Sequence, residues 1–212
     1  MQAKQRKRNN MSGGKEKKLE AMEKINAEVI ALKIPLADER RANGVLPVIG
    51  EGDLDAKLMF IGEAPGKKEA VTGRPFCGAS GKFLDVMLDS IGLPRASTYI
   101  TSIVKDRPTD NRDPSDEEIA EHAPFLDRQI EIIQPKGIVT LGRISMAYIM
   151  KKFGLEGELK TISQIHGKHF KVQAPWGGNL TIVPLYHPAV ALYKGSNRAI
   201  LLEDFKTLKG MI

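Results

Sequence analysis

The residues best suited to chemistry lie in a glycine-rich stretch, residues 62–81, with the sequence GEAPGKKEAVTGRPFCGASG. It stands between an apolar run, Leu58–Ile61, and an amphipathic run that begins at Lys82. A strand that leads through such a loop into a helix favours an anion or nucleotide site, because free amides at the helix start attract phosphate. Glu63 adds a carboxylate and Phe76 a flat ring. Together these groups suit hydrolysis of a planar group attached to a phosphodiester backbone.

Alternating strands and helices must position this loop. Apolar and β-branched runs predict strands at residues 57–61, 98–104, 137–141, 169–174 and 180–185. Helical periodicity and caps predict helices at residues 17–32, 81–91, 115–133, 142–153 and 198–208, with Pro35 ending the first and a loop at 154–168. This order indicates a three-layer α/β/α fold with a central, largely parallel four-stranded sheet.

Four residues lie at or just past the ends of separate predicted strands: Glu63, Ser102, Gly142 and His187. Ligands of open parallel sheets bind beyond the carboxyl ends of the strands. We therefore expect these four residues to converge on one cleft.

Composition is that of an ordinary globular chain, with 212 residues, 42% hydrophobic and 27% charged. No apolar stretch approaches the roughly 20 residues that cross a bilayer, so no membrane association is expected. The single cysteine, Cys77, excludes an intrachain disulfide, and the chain is predicted to be cytoplasmic.

The net charge of +6 is concentrated at the N-terminus. Residues 1–18 hold seven Lys and Arg and one Glu, so the remainder of the chain is neutral. We predict a basic, disordered tail at 1–18 and a single domain at 19–212. The tail could attract DNA or RNA in a salt-dependent way, or serve only solubility.

Other sites are weaker interpretations. Residues 78–82, GASGK, lack the phosphate-loop pattern, because Phe76 and Phe83 occupy the positions that require Gly and Ser or Thr. No G-x-G-x-x-G fingerprint is present there. His166 and His169 have no third ligand nearby in sequence and are interpreted as polar loop residues. Cys77 lacks a neighbouring histidine and is interpreted as a small packed residue.

Several motifs together resemble the family 4 uracil-DNA glycosylases of bacteria and archaea, over roughly residues 30–208. They are GEAPG at 62–66, GRPF at 73–76 with GASG at 78–81, YITSIVK at 99–105 with Arg107-Pro108 and Asn111-Arg112, Gln129-Ile130, LGR at 141–143 and VPLYHPA at 183–189.

The resemblance implies a base-excision repair enzyme that hydrolyses the glycosidic bond of a base flipped from DNA. Glu63 would hold or activate water, and His187 would donate a hydrogen bond to the leaving base. Phe76 would stack on the base, whose pocket would also include Gly62, Ala64 and Ser102. DNA contacts are expected from Gly78, Ser80, Arg107 and Tyr193.

Two departures from the family pattern stand out. The four cysteines that hold the family's iron–sulfur cluster are replaced by Ala31, Ile34, Asp106 and His122, so no cofactor and no metal are expected. Ser102 replaces an asparagine that contacts uracil at two points, and a hydroxyl cannot copy that contact. Uracil excision could be weak, or the preferred base could be hypoxanthine or xanthine.

Two hypotheses follow for the function. The first is a monofunctional, cluster-free DNA glycosylase that acts on deaminated bases, as a monomer, with water as the nucleophile. The alternative is a DNA-binding or polymerase-associated protein that keeps the fold and has lost catalysis.

Overall fold

A six-stranded sheet forms the centre of the structure, with the strand order β1-β3-β2-β4-β6-β5. The strands are β1 (Glu51–Gly52), β2 (Leu58–Gly62), β3 (Tyr99–Ser102), β4 (Gly137–Leu141), β5 (Phe170–Gln173) and β6 (Asn179–Leu185). The central four, β3, β2, β4 and β6, are parallel, and β1 and β5 pair antiparallel at the two edges. This computed structural model describes the backbone of residues 2–193 and 195–212 and the side chains of residues 14–192 and 197–212.

The predicted sheet is confirmed as largely parallel, but the predicted number of four strands is wrong. The additional strands are the two edges. The sequence indicates β5 as one arm of a hairpin, and the structure places it beside β6. β1 has only two residues and no apolar pattern, so the sequence contains no signal for it. It is a strand only because it pairs with Tyr99 and Ile100 of β3.

Nine α-helices among the described residues surround the sheet. They are α1 (Gln2–Ile30), α2 (Pro35–Ala42), α3 (Lys67–Thr72), α4 (Ala79–Ser90), α5 (Asp116–Ile133), α6 (Arg143–Lys152), α7 (Ile162–Ile165), α8 (Val190–Tyr193) and α9 (Gly195–Lys206). No helix among the described residues has the length and apolar character required to span a bilayer.

The four central strands contribute residues to two separate cores, one on each face of the sheet. Met59 and Ile61 of β2 belong to the core that α1, α5 and α6 cover. Leu58 and Phe60 belong to the opposite core, which α4 and α9 cover, and Phe60 stacks on Phe205 with ring centroids 5.9 Å apart. Because successive side chains of a strand point to opposite faces, this alternation confirms the three-layer arrangement.

The predicted cap of α5 is also found in the structure. Ser115 Oγ accepts a hydrogen bond from the backbone N–H of Glu118, and the Glu118 carboxylate accepts one from the N–H of Ser115. The helix ends at Ile133, as predicted. Glu118 also accepts two bonds from Arg112, so the cap fixes the preceding loop to the helix.

Short helices are the main errors of the sequence-based assignment. Pro35 starts α2 rather than only ending α1, because proline suits the first position of a helix. The helix α3 follows β2 inside the predicted glycine-rich loop, and α7 lies in the predicted loop at 154–168. Each has eight residues or fewer, which is too short for a periodic pattern.

The basic N-terminal segment is part of α1, which begins at Gln2, whereas the sequence predicts disorder up to residue 18. Lys18 is anchored to the domain by a 2.8 Å ion pair with Asp55 and by hydrogen bonds to the carbonyls of Leu54 and Ile133. Of residues 1–13, only the backbone of 2–13 lies within the described part. The division into a tail and a domain at residue 19 stays a prediction.

Candidate active site

A cavity of about 300 Å³ lies at the carboxyl end of the parallel strands. Its walls include Glu63 after β2, Ser102 at the end of β3 and His187 after β6. Gly142, the fourth residue expected there, is not among the lining residues but packs behind the histidine, where a Cβ at Gly142 would lie 3.4 Å from the Cβ of His187. Three of the four predicted residues therefore line one cavity, and the fourth lies directly behind it.

Glu63 is held by its backbone and perturbed by its surroundings. Its carbonyl accepts a 3.0 Å hydrogen bond from the N–H of Val104, which continues the pairing of β2 with β3. Burial in the pocket, with the neighbouring charge of Asp113, raises the pKa of Glu63 to about 7, although Arg143 opposes the shift. Arg143 forms an ion pair with Asp113. Glu63 can therefore exchange a proton near neutral pH.

Phe76 has a backbone φ of +47°, a region that bulky residues rarely adopt. The loop around it is fixed at both ends. Before the ring, Arg74 binds Glu51 through two nitrogens, and Arg95 donates to the carbonyl of Pro75. After the ring, the buried Glu69 carboxylate accepts from the N–H groups of residues 77 and 78. These contacts hold the ring in a strained position, as is common at functional sites.

His187 presents one defined nitrogen to the cavity. Its Nδ1 accepts a 3.1 Å hydrogen bond from the N–H of Ala189. Burial lowers the pKa of His187 to about 4, so the ring is neutral at pH 7. A neutral ring that accepts at Nδ1 carries its proton on Nε2. His187 is therefore a neutral hydrogen-bond donor beside Phe76, with ring centroids 5.7 Å apart.

Gly62 brings the ring and the end of β3 together. A Cβ at Gly62 would lie 2.8 Å from Cζ of Phe76 and 3.2 Å from Oγ of Ser102. Ser102 is paired with Gly62 in the sheet register and is only 3% exposed. The absence of a side chain at Gly62 is thus what allows the ring to lie over the strand end.

The predicted DNA-contacting residues are less uniform. Ser80 and the predicted base neighbour Ala64 line the cavity. The N–H of Gly78 is occupied by a 2.8 Å hydrogen bond to Glu69, so it is not free for a phosphate. Arg107 does not line the cavity and instead donates to Oδ1 of Asn111. The side chain of Tyr193 lies outside the described residues.

A sequence profile of the uracil DNA glycosylase superfamily matches residues 49–209. The chain belongs to this superfamily. It is 46% identical to the type-4 uracil-DNA glycosylase of Sulfurisphaera tokodaii over 192 residues, which cover 90% of this chain and 84% of the relative. The type-4 enzyme of Saccharolobus solfataricus is 44% identical over 163 residues, 76% of this chain and 74% of the relative. That of Archaeoglobus fulgidus is 44% identical over 161 residues, with 76% and 79% covered.

In this member of the superfamily, the candidate metal ligands do not assemble. Among the residues that the structure describes, no group of three or more His, Cys, Asp or Glu could hold a metal ion. Nδ1 of His166, interpreted from sequence as a polar loop residue, forms a 2.8 Å hydrogen bond with Oδ2 of Asp204. Cys77 is partly exposed, with its Sγ 3.2 Å from Oγ1 of Thr72.

Sequence reasoning missed several residues that line or influence this cavity. Glu69 lines the cavity, as do Asn111 and Arg112 of the loop after β3. Asp113 lies close enough to Glu63 to perturb its titration. Glu69 is visible in the sequence as an acidic residue in the first turn of α3. Its hydrogen bonds to the amides before α4 depend on tertiary contacts, which no local pattern predicts. No local pattern links residues 63 and 113.

Replacing Gly81 by alanine should distort the pocket, because the new Cβ would lie 1.7 Å from the backbone oxygen of Phe76. Overpacking usually costs about 1–3 kcal/mol, and a clash with backbone belongs at the upper end of that range. Urea unfolding should therefore show Gly81→Ala to be less stable by about 2–3 kcal/mol. The control is Gly157→Ala, where no atom lies within 4 Å of the new Cβ. Equal stability of the two variants would contradict the Phe76 geometry.

Proposed function

We propose that this protein is a monofunctional DNA glycosylase that hydrolyses the N-glycosidic bond of uracil, or of another deaminated base, flipped out of DNA. One observation carries the proposal. A single cavity is lined by a carboxylate with a raised pKa, an aromatic ring and a neutral imidazole donor, contributed by Glu63, Phe76 and His187. The type-4 relatives, whose names specify uracil in DNA, support the same reaction.

The carboxylate of Glu63 acts on the attacking water molecule and on the deoxyribose. In its ionised form it orients and deprotonates a water molecule for attack on C1′ of the deoxyribose. As the bond between C1′ and the base nitrogen breaks, its electron pair moves to the base, and positive charge develops on the sugar. The carboxylate stabilises that charge, and a positioned general base contributes about 10²–10⁴ in rate.

His187 serves the leaving base. Negative charge develops on a carbonyl oxygen of the base as the bond breaks, and Nε2–H of the neutral ring is the donor available to it. A donor fixed by the 3.1 Å bond at Nδ1 needs little reorganisation during the reaction. Phe76 stacks on the flipped base, a contact worth about 1–3 kcal/mol. Gly62, Ala64 and Ser102 complete the base pocket.

Ser80 lines the cavity at the start of α4, and we propose that it contacts the DNA. Arg107 and Tyr193 stay proposals on the resemblance. The amide of Gly78 could contribute only if a phosphate displaced the Glu69 carboxylate. We further propose that the protein acts as a monomer, in the cytoplasm and without a cofactor. The single cysteine is consistent with a reducing compartment.

Substitution of the two central residues tests the reaction directly. Glu63→Gln and His187→Ala should each lower the single-turnover rate of base release at least about 10²-fold, because each removes a group that acts on the transition state. The assay uses duplexes with one uracil, hypoxanthine or xanthine, followed by alkaline cleavage. Glu156→Gln and His169→Ala, both at exposed positions, are the matched controls. Tight binding of lesion DNA without release by the unmodified chain would favour the inactive binding protein.

The rate of base release should depend on pH through Glu63. The carboxylate form is the active one, so the rate rises with pH and reaches half its maximum near pH 7, the pKa of Glu63. Asp113→Asn removes a charge that raises this pKa, so the midpoint should move to lower pH. Asp116→Asn, an exposed acid on the same segment, should leave the midpoint in place. An unchanged midpoint in Asp113→Asn contradicts this assignment.

The choice of base should depend on Ser102. Ser102→Asn supplies an amide that can contact uracil at two points, which is worth about 1–3 kcal/mol of discrimination, or about 5- to 150-fold. The ratio of uracil release to hypoxanthine release should therefore rise by at least about fivefold. Ser97→Asn, at an exposed site, is the control. If the ratio stays the same, Ser102 does not read the base.

A further inference from the structure

A buried ion pair lies beside the pocket, on the α1 side of the sheet. Nη1 of Arg40 is 2.9 Å from Oδ1 of Asp106, and the two side chains are 4% and 0% exposed. The same guanidinium donates to the carbonyls of Val29 and Ile30 at the end of α1, at 3.1 and 2.7 Å. One side chain thereby joins α1, α2 and the segment after β3, and its bonds satisfy carbonyls that a helix end leaves free.

The neighbouring Lys105 is fully buried as well. Its Nζ donates to Oγ1 of Thr101, the carbonyl of Ser102 and Oε1 of Gln129, at 2.8, 2.6 and 2.7 Å. Its carbonyl accepts from the N–H of Val48 at 2.8 Å. Residues 105 and 106 are therefore bound directly to four other segments, β3, α2, α5 and the loop before β1, and through Arg40 to the end of α1.

His122 of α5 completes the group. It is fully buried, and its Nδ1 accepts from the N–H of Lys105 at 3.4 Å. Its Nε2 lies 3.8 Å from Oδ2 of Asp106, and within the described part of the chain neither atom has a hydrogen-bond partner. A small movement of either side chain would pair them. The imidazole therefore faces the carboxylate across a short gap.

The residues that follow this buried group in the chain form part of the cavity wall. Pro108, Asn111 and Arg112 line the cavity, directly after the fixed residues 105 and 106. Val48 and Ser102, which bind Lys105 through their backbones, also line it. One side of the pocket is therefore bonded directly to this buried group or follows it in the chain.

An iron–sulfur cluster does not fit the residues at this place. The four positions that correspond to cluster cysteines in the resembled enzymes hold two aliphatic residues, a carboxylate and an imidazole: Ala31, Ile34, Asp106 and His122. Clusters require thiolates or, for two positions, imidazoles. The carboxylate is already bound by a guanidinium, and the one cysteine of the chain lies in the loop before α4.

We propose that Arg40, Lys105 and Asp106 form a buried clamp that replaces the metal cluster of the resembled enzymes and positions the pocket wall of residues 108–112. Its members are positioning residues, since they act through the loop rather than on the base. The effect on base release rests on the proposed function, whereas the effects on iron content and stability do not.

Iron content and melting temperature test the clamp as a structural device. The chain purified from iron-replete cells should hold no stoichiometric iron or sulfide. Arg40→Met should lower the melting temperature by about 10 °C, because it leaves a buried carboxylate unpaired. Arg41→Met, on the same helix but half-exposed, should lower it by about 2 °C or less. Arg40→Met combined with Asp106→Leu should regain part of the loss, because no charge is left unpaired.

Base release tests the positioning role. At a temperature where circular dichroism shows Arg40→Met to be folded, its single-turnover rate should fall at least about tenfold, because small misplacements of the site are costly. Its affinity for undamaged duplex should stay unchanged, and Arg40→Lys should recover part of the rate. Stoichiometric iron, an unchanged melting temperature or a wild-type rate in folded Arg40→Met would each overturn the clamp. If the unmodified chain releases no base, the proposed function fails and the first two measurements alone judge the clamp.

Discussion

The close packing of Phe76 on Gly62 is the contact on which the pocket depends. Gly62 ends β2, precedes Glu63 and pairs with Ser102 in the register. A Cβ there would lie 2.8 Å from the ring. The ring's position, the strand end and the carboxylate are therefore set by one residue without a side chain. The strained φ of Phe76 persists because hydrogen bonds and ion pairs fix the loop on both sides.

The same burial shifts two titratable groups in opposite directions. It raises the pKa of Glu63 to about 7 and lowers that of His187 to about 4, since a pocket that excludes water disfavours both charges. Neutral pH therefore lies at the titration of the carboxyl group and far above that of the imidazole. A carboxyl group near its pKa and a neutral imidazole donor suit the proposed cleavage, in which the base leaves as an anion.

Much of the fold could be predicted from sequence because its main signals are local. The strand β4 and the N-terminal end of α5 are found at the predicted residues, since an apolar run defines the strand and a capping box defines the helix start. The site could be predicted where it depends on strand ends, as for Glu63, Ser102 and His187.

What could not be predicted depends on contacts between distant segments. The two-residue β1 exists only through its pairing with β3. The expected free amide at the start of α4 is wrong for Gly78, whose N–H donates a hydrogen bond to Glu69. No local sequence pattern predicts this bond. The influence of Asp113 on Glu63 joins loops 50 residues apart. Such pairings arise only when the strands are assembled.

The loop after β3 connects the buried ion pair of Arg40 and Asp106 to the cavity. Near its start, Asp106 forms the buried ion pair with Arg40; further on, Pro108, Asn111 and Arg112 line the cavity, and Asp113 raises the pKa of Glu63. Glu118 closes the far end by binding Arg112 and capping α5. A segment that is held at both ends is ordered before a ligand binds, so its ordering adds little entropy cost to binding. Buried charges that cost desolvation energy can therefore persist, because they fix the segment that forms the site.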